Sequence, residues 1–247
     1  MSTTTLNGKI ALVTGGSRGI GAAIVRRLSA DGATVVFTYA NSEDRARQLE
    51  AEIAGAGGRA SGVRADSADA QAVRQAVAGV VEAHGRVDIL VNSAGILVYK
   101  DLDATTLDEF DHIMAVNVRA HFVAVQAVLP HMGAGGRIVN IGSMTADRAG
   151  GPGGSLYSAS KAAVAGLTRG LARDLGPRGI TVNNVQPGPT ETEIVGDEGV
   201  RAYLRTQMPV GRMGKDSEIA SLVAYLAGAE AAFINGSMLT IDGGFVA

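Results

Sequence analysis

Tyr157-Ser-Ala-Ser-Lys161 sets a phenol and an ammonium four residues apart, on one face of the chain if that stretch is helical. A phenol with a pKa near 10 is a poor proton donor or acceptor at neutral pH. A fixed cation beside it favours the phenolate and lowers that value. Such a pair can exchange a proton with a substrate oxygen. Ser143 lies just past an apolar run that reads as a strand, where a second hydroxyl can hold the same oxygen. Taken alone, a Tyr–Lys pair at this spacing is more often a coincidence on a surface helix.

A second cluster could hold a phosphate. Thr14-Gly-Gly-Ser-Arg-Gly-Ile-Gly21 follows the apolar run Lys9-Ile-Ala-Leu-Val13 at once. A strand, a tight loop and a helix in that order meet three needs of a dinucleotide. The first turn is sharp, the pyrophosphate approaches backbone N–H groups, and the helix packs close to the sheet. Gly15, Gly19 and Gly21 supply the glycines. The rival reading is a helix N-terminus with packing glycines. No Gly-Lys-Ser/Thr follows, so this is not the loop of an ATPase. The end of the next strand, Phe37-Thr-Tyr-Ala-Asn-Ser42, has no acid before Glu43. A carboxylate there would bind a free ribose and repel a 2'-phosphate. Tyr39, Asn41 and Ser42 stand there instead, and Arg18 in the loop can reach a 2'-phosphate through charge-assisted bonds. The expectation is NADP(H) rather than NAD(H). Asp66, with Ser67 beside it, either accepts from the adenine amino group or caps a helix.

These groups need a scaffold, and the apolar pattern supplies one. Strands are expected at 9–13, 34–38, 59–65 (weaker), 87–91, 136–141, 180–185 and 237–241. Helices are expected near 19–30, 42–56, 69–84, 106–132, 155–175 and 216–227. Alternation of this kind implies crossover connections and a mainly parallel sheet covered on both faces. Residues 188–214 break the rhythm and read as a lid of short helices carrying Val195, Val200, Tyr203, Leu204 and Met208.

Composition narrows the function classes. At 247 residues the chain fits one domain, and 46% apolar with 19% charged residues suits a globular protein. A net charge of -2 gives no pull toward nucleic acid or anionic membrane. The absence of cysteine excludes disulfides, thiolate catalysis and cysteine metal sites. His84, His112, His121 and His131 are scattered without ligand spacing, so no metal is expected. The N-terminal Met1-Ser-Thr-Thr-Thr lacks the character of a signal peptide, and no run of 18 apolar residues occurs. The expectation is a cytoplasmic protein with no membrane span.

The joint pattern is far more specific than its parts. Thr14-Gly-x-x-x-Gly-x-Gly21, Asn92-Ser-Ala-Gly95, Asn117, Asn140-Ile-Gly-Ser143, Tyr157-x-x-x-Lys161 and Pro187-Gly188 occur in this order. Over residues 6–246 the chain resembles the classical short-chain dehydrogenase/reductase family. The resemblance implies a single α/β domain of Rossmann type, with a seven-stranded parallel sheet in order 3-2-1-4-5-6-7 and helices on both faces. It implies Tyr157 as general acid in reduction and general base in oxidation. Lys161 would hold the nicotinamide ribose and depress the Tyr157 pKa, and Ser143 would position the carbonyl. Asn117 would support a water in a proton relay. Gly15, Ser17, Arg18, Gly19 and Ile20 would surround the phosphates and adenosine ribose. Asp66 would meet adenine. Asn92, Ala94 and Gly95 would line the cofactor and brace the sheet. Pro187, Gly188, Thr190 and Thr192 complete the cofactor list, with Thr192 at the carboxamide.

Three departures are visible. Asn92-Ser93 replaces the common Asn-Asn. The Ser143–Tyr157 interval is one residue longer than is common, a difference absorbed by Asp147-Arg-Ala-Gly-Gly-Pro-Gly-Gly154. Pro189-Thr190 stands where a bulky apolar pair is usual.

The leading expectation is NADPH-dependent, reversible reduction of a ketone to a secondary alcohol. The alternatives are a 3-oxoacyl-(acyl carrier protein) reductase, a sugar or polyol dehydrogenase, and a non-catalytic NADP(H) sensor. The first would need a basic patch, for which Arg119, Arg148, Arg169 and Arg173 are candidates. The resemblance also implies a homotetramer. Its long helices near 106–132 and 155–175 would pair through small residues such as Ala159, Ala162, Ala163 and Gly166, with the segment 242–247 in another contact.

Overall fold

The computed structural model describes residues 6–193 and 195–247; Met1–Thr5, read above for a leader, lie outside the described residues. The glycine loop and the Tyr–Lys pair are held at one edge of a seven-stranded parallel sheet. Its strands are β1 (Ile10–Thr14), β2 (Thr34–Tyr39), β3 (Arg59–Arg64), β4 (Ile89–Asn92), β5 (Arg137–Ile141), β6 (Thr181–Pro187) and β7 (Met238–Ile241). Their order is β3-β2-β1-β4-β5-β6-β7, and every pairing is parallel. The single Rossmann-type α/β domain expected from the sequence is therefore present.

The inner strands β1, β4, β5 and β6 are buried at every position, so they read as continuous apolar runs or carry paired amides. The edge strand β3 is mostly exposed, which explains its weak sequence signal. Helices α1 (Gly19–Ala30), α2 (Glu43–Gly55) and α8 (Asp216–Ala227) cover one face through Ile24, Leu28, Leu49, Ile53, Ile219 and Val223. Helices α3 (Ala70–His84), α5 (Ala120–Val128) and α6 (Ser155–Leu175) cover the other through Val73, Val77, Val80, Val125 and Leu175.

The helix expected at 106–132 is a compound rod. It consists of α4 (Leu107–Met114), a π turn at Ala115–Arg119, α5 and a 3-10 turn at Leu129–His131. A capping box between Thr106 and Glu109 fixes its start. The rod, Leu107–His131, is long and apolar enough to cross a membrane by length and composition, but 56% of its most apolar window is buried inside the domain. It is a core helix here, and its apolarity is used against β4 and α3.

Two further local expectations change. Asp66 is not the cap of α3. That cap is Asp69, whose side chain accepts from Gln71 N, while Asp66 accepts from Ala68 N in the turn before it. Among its described residues, the expected lid of short helices contains one α-helix, α7 (Glu198–Thr206), between irregular segments.

Candidate active site

The parallel sheet brings the C-terminal ends of β1, β4, β5 and β6 to one edge, and the residues singled out in the sequence are placed along it. At β1, Gly15 has φ +66, and a Cβ there would stand 2.7 Å from Ala94 Cα. A Cβ on Gly21 would stand 2.2 Å from Gly15 O, so the loop closes against the helix only with glycine at both places. Two threonines fasten this loop: Thr14, which opens the motif, and Thr38, which the sequence did not single out. Thr38 Oγ1 accepts from Gly15 N at 3.1 Å, and Thr14 Oγ1 accepts from Ser93 N and Ala94 N at 3.1 and 3.2 Å.

Arg18 is the extended N-cap of α1, its side chain makes no capping bond, and the first turn holds no acid. The first-turn N–H groups and the positive end of the helix dipole are thus presented to an anion beside Ser17, Gly19 and Ile20. This cradle, too close for side chains at Gly15 and Gly21, fits a dinucleotide pyrophosphate.

At the end of β2, Tyr39, Ala40, Asn41 and Glu43 line a shallow pocket of about 160 Å³, together with Arg64 from β3. Arg64 Nε donates to Ala40 O at 3.2 Å, and the β2–β3 register pairs Tyr39 with Arg64. Arg64 is a cation at this edge that the sequence reading missed, because its neighbour is set by strand pairing. Ser42 precedes α2 without a side-chain cap bond. On the far side, Gly188 N donates to Ile241 O, Thr190 Oγ1 donates back to Gly188 O at 2.9 Å, and Thr192 lies against Gly19. The buried Thr190 hydroxyl is thus used within its own turn. Glu193 pairs with Arg45 of α2, and Arg45 first, then Arg18, hold its carboxyl below the usual range.

The middle of the edge is polar and buried. Asn92 Nδ2 donates to Asn140 Oδ1 at 2.9 Å, and Asn140 Nδ2 donates to Thr168 Oγ1 at 2.9 Å, tying β4, β5 and α6 together. Asn92 therefore braces the sheet. Asn117 sits in the π turn, a device common at functional sites. Its Oδ1 accepts from Ile96 N at 2.8 Å, and its Nδ2 donates to Ile96 O and Ser160 Oγ, both at 3.0 Å. Both N–H groups of the side-chain amide and one lone pair of its oxygen thus fix the chain after β4 and the helix that bears Tyr157.

Ser143, Tyr157 and Lys161 converge there, and Lys161 is a buried member of the core rather than part of a surface pair. Lys161 Nζ donates to Ile141 O at 2.9 Å and lies 5.6 Å from the centre of the Tyr157 ring. A Cβ on Gly95 would stand 3.5 Å from both Lys161 Nζ and Asn117 Oδ1, which places Gly95 where the cofactor cradle meets the chemical groups.

The electrostatics correct one expectation. Burial pushes the Tyr157 phenol up to about 12; Ser143 pulls the other way by hydrogen bonding, and Tyr99 adds to the rise. Burial also drives Lys161 down to about 8. The expected depression of Tyr157 by Lys161 is absent in the free protein: desolvation dominates, and the ammonium is turned to the Ile141 carbonyl. His121 is buried near Lys161 and held neutral, its pKa pushed down to about 3 by burial and then by Lys161.

Tyr99 was also missed. Its ring packs over Gly154, where a Cβ would stand 3.0 Å from Cε1, and Lys100 N donates to Gly153 O at 3.0 Å. The glycine-rich segment 147–154 is therefore shaped around an aromatic side chain that borders Tyr157. The four arginines considered as a carrier-protein patch are divided among separate elements. Arg119 donates to Ala68 O and Arg148 to Phe245 O, while Arg169 and Arg173 lie on α6.

Known proteins resemble the chain in sequence and backbone. A family profile described as enoyl-(acyl carrier protein) reductase matches residues 15–246. The cyclic-di-GMP-binding biofilm dispersal mediator protein of Escherichia coli (strain K12) is 47% identical over 239 residues, covering 96% of this chain and 97% of its own. A dehydrogenase/reductase from Sinorhizobium meliloti 1021 is 54% identical with a TM-score of 0.96, covering 99% of this chain and 98% of its own. A short chain dehydrogenase from Burkholderia cenocepacia J2315, solved in complex with NADP, is 55% identical with a TM-score of 0.94, covering 98% and 99%. Likeness of this extent in both sequence and backbone, over a parallel sheet that carries Ser143, Tyr157 and Lys161 at one edge, shows that the chain belongs to the short-chain dehydrogenase/reductase family.

Proposed function

We propose that this protein is an NADP(H)-dependent reductase that converts a ketone to a secondary alcohol and runs in reverse with the alcohol. One observation carries the reading: buried Ser143 and Lys161 and partly buried Tyr157 form a complete set beside a glycine cradle built for a pyrophosphate. Bound NADPH supplies hydride to the carbonyl carbon. The chain's own residues do the rest. Gly15, Ser17, Gly19 and Ile20 hold the phosphates, with Arg18, Tyr39, Asn41 and Ser42 toward the 2'-phosphate. Asp66 and Ser67 lie toward adenine, Asn92, Ala94 and Gly95 along the cofactor, and Pro187, Gly188, Thr190 and Thr192 toward the carboxamide. The NADP-bound Burkholderia relative supports that choice of cofactor.

Ser143 and Tyr157 donate to the carbonyl oxygen, where negative charge grows as reduction proceeds. Donors aimed at that charge stabilise the transition state more than the ground state. A phenol that begins near 12 holds its proton firmly. It releases the proton only as the substrate oxygen becomes alkoxide-like. Lys161 turns from Ile141 O toward the ribose hydroxyls. A water held by the π turn at Asn117 then renews the proton. Residues 188–214 form the substrate lid. Exposed Leu107, Phe110 and Phe122 on the rod support assembly into a homotetramer, which the mass in solution by light scattering tests.

The direct test is loss of NADPH absorbance with a panel of ketones; no turnover on any of them overturns the reading. A second reading, nucleotide sensing without turnover, is supported by similarity to the Escherichia coli cyclic-di-GMP-binding protein. Calorimetric binding of cyclic-di-GMP together with no reductase activity would favour it.

A further inference from the structure

We infer that Gln186 and Asp147 form a clamp that positions Ser143 for the reaction. The inference rests on the reductase reading above and adds two residues to it. Ser143 begins a one-turn 3-10 segment, Met144–Ala146, and its own hydroxyl accepts from Thr145 N at 3.2 Å and Thr145 Oγ1 at 3.0 Å. Those bonds shape the turn but do not fasten it to the sheet. Gln186 does. It is the penultimate residue of β6, fully buried, and its Nε2 donates to Ser143 O at 3.3 Å and to Asp147 Oδ2 at 2.6 Å. One amide thus holds both ends of the turn that presents the Ser143 hydroxyl. Its Oε1 is in turn reached by Asn184 Nδ2 at 3.4 Å, two positions earlier on the same face of β6.

The chemistry of this contact is specific. Asp147 is exposed, yet it spends one carboxylate oxygen on a buried amide N–H. A charge-assisted bond of that kind is stronger than a neutral one. A buried primary amide whose N–H groups lose their acceptors pays a desolvation cost, so the turn is held down from both sides. Gln186 and Asp147 are positioning residues: they act through Ser143 and need not touch the substrate.

The test combines kinetics with amide exchange on the whole protein. In Gln186→Leu, kcat for ketone reduction should fall between about 10-fold and 100-fold, the scale of a small misplacement of a reacting group. KM and NADPH affinity should change little. Asp147→Ala should fall similarly, while Asp147→Asn, which keeps an acceptor oxygen, should recover most of the rate. The double variant Gln186→Leu/Asp147→Ala should be no slower than the worse single one, because both remove the same clamp. Independently of turnover, backbone amides of residues 143–147 should exchange faster in Gln186→Leu than in the parent. Unchanged exchange in that segment overturns the clamp even if the parent reduces no ketone, an outcome that by itself overturns only the reductase reading. With an active parent, equal loss in Asp147→Asn and Asp147→Ala, multiplying effects in the double variant, or matching losses of NADPH binding would each overturn it.

Discussion

The two ends of the site are built on opposite principles. Around residues 14–21 the working groups are main-chain N–H groups, and the side chains that matter are small: Thr14 and Thr38 tie strands together, and the glycines clear space. Around residues 143–161 the working groups are side chains held in the interior with ionisation far from their ordinary state. The first end, Arg18 apart, is robust to charge and sensitive to volume. The second is sensitive to charge. Binding and chemistry should therefore separate under mutation.

The sharpest break is Tyr157→Phe, which keeps the ring and deletes the proton donor. Turnover should fall by roughly 10²–10⁴-fold. NADPH binding by fluorescence titration should persist, since its main contacts are expected at the other end. Near-normal reduction by this variant would falsify the assignment of Tyr157 as the acid.

Lys161 is the residue at which the separation should fail. Lys161→Ala should weaken both NADPH binding and turnover, because a ribose contact and a charge leave together. The same side chain has a pH signature in stability. Its pKa is lowered from 10.5 to about 8 by burial, so the unfolded chain binds more protons between those values and this group's contribution to stability rises with pH there. Below about 8 the full cost of a buried cation is present. Lys161→Met should accordingly gain thermal stability relative to the parent at pH 7, and the gain should shrink toward pH 10. A gain that grows with pH would contradict the burial argument.

Smaller effects should mark the outer edges. Arg18→Ala should weaken NADPH about tenfold or more relative to NADH, since a charge-assisted contact is worth roughly 1.5–3 kcal/mol; equal losses for both cofactors would point to a fold effect. Smallest is the response to pocket shape. Tyr99→Ala, Met144→Ala and Val195→Ala should reorder a series of ketones by size while leaving NADPH affinity in place. Uniform slowing across the series would move the pocket elsewhere.

Local patterns made much of this legible. Strand–loop–helix at 9–28 and the Tyr157–Lys161 interval are short-range features that a sequence displays directly. The π turn is different, because one extra residue in a helical turn hardly disturbs an apolar stripe, and 106–132 reads as one helix. Asp66 and Asp69 are both plausible caps by type, and only the geometry of the turn at Ala68 separates them. The direction of the Tyr157 shift was beyond reach for a further reason. A neighbouring cation is visible four residues away, but desolvation depends on everything that packs around the phenol. Gln186, Arg64 and Tyr99 acquire their roles from partners 39, 25 and 55 positions away, respectively, or from strand register; nothing near them in the chain announces this.

The pairing of β1 with β4 has a consequence for how the protein is made. Ile10 N donates to Asp88 Oδ2 across 78 residues, and Thr14 receives Ser93 N and Ala94 N across 79 and 80. Strand β1 therefore gains its second neighbour only after two complete strand–helix units lie between. Contacts of such separation slow folding, because the entropy of closing the long loop comes before its reward. A growing chain that ends before β4 has the whole glycine loop in hand but lacks the amides just past β4 that Thr14 must receive. The nucleotide cradle is thus assembled late, and occupancy by a dinucleotide reports a sheet already closed rather than guiding its first half into place.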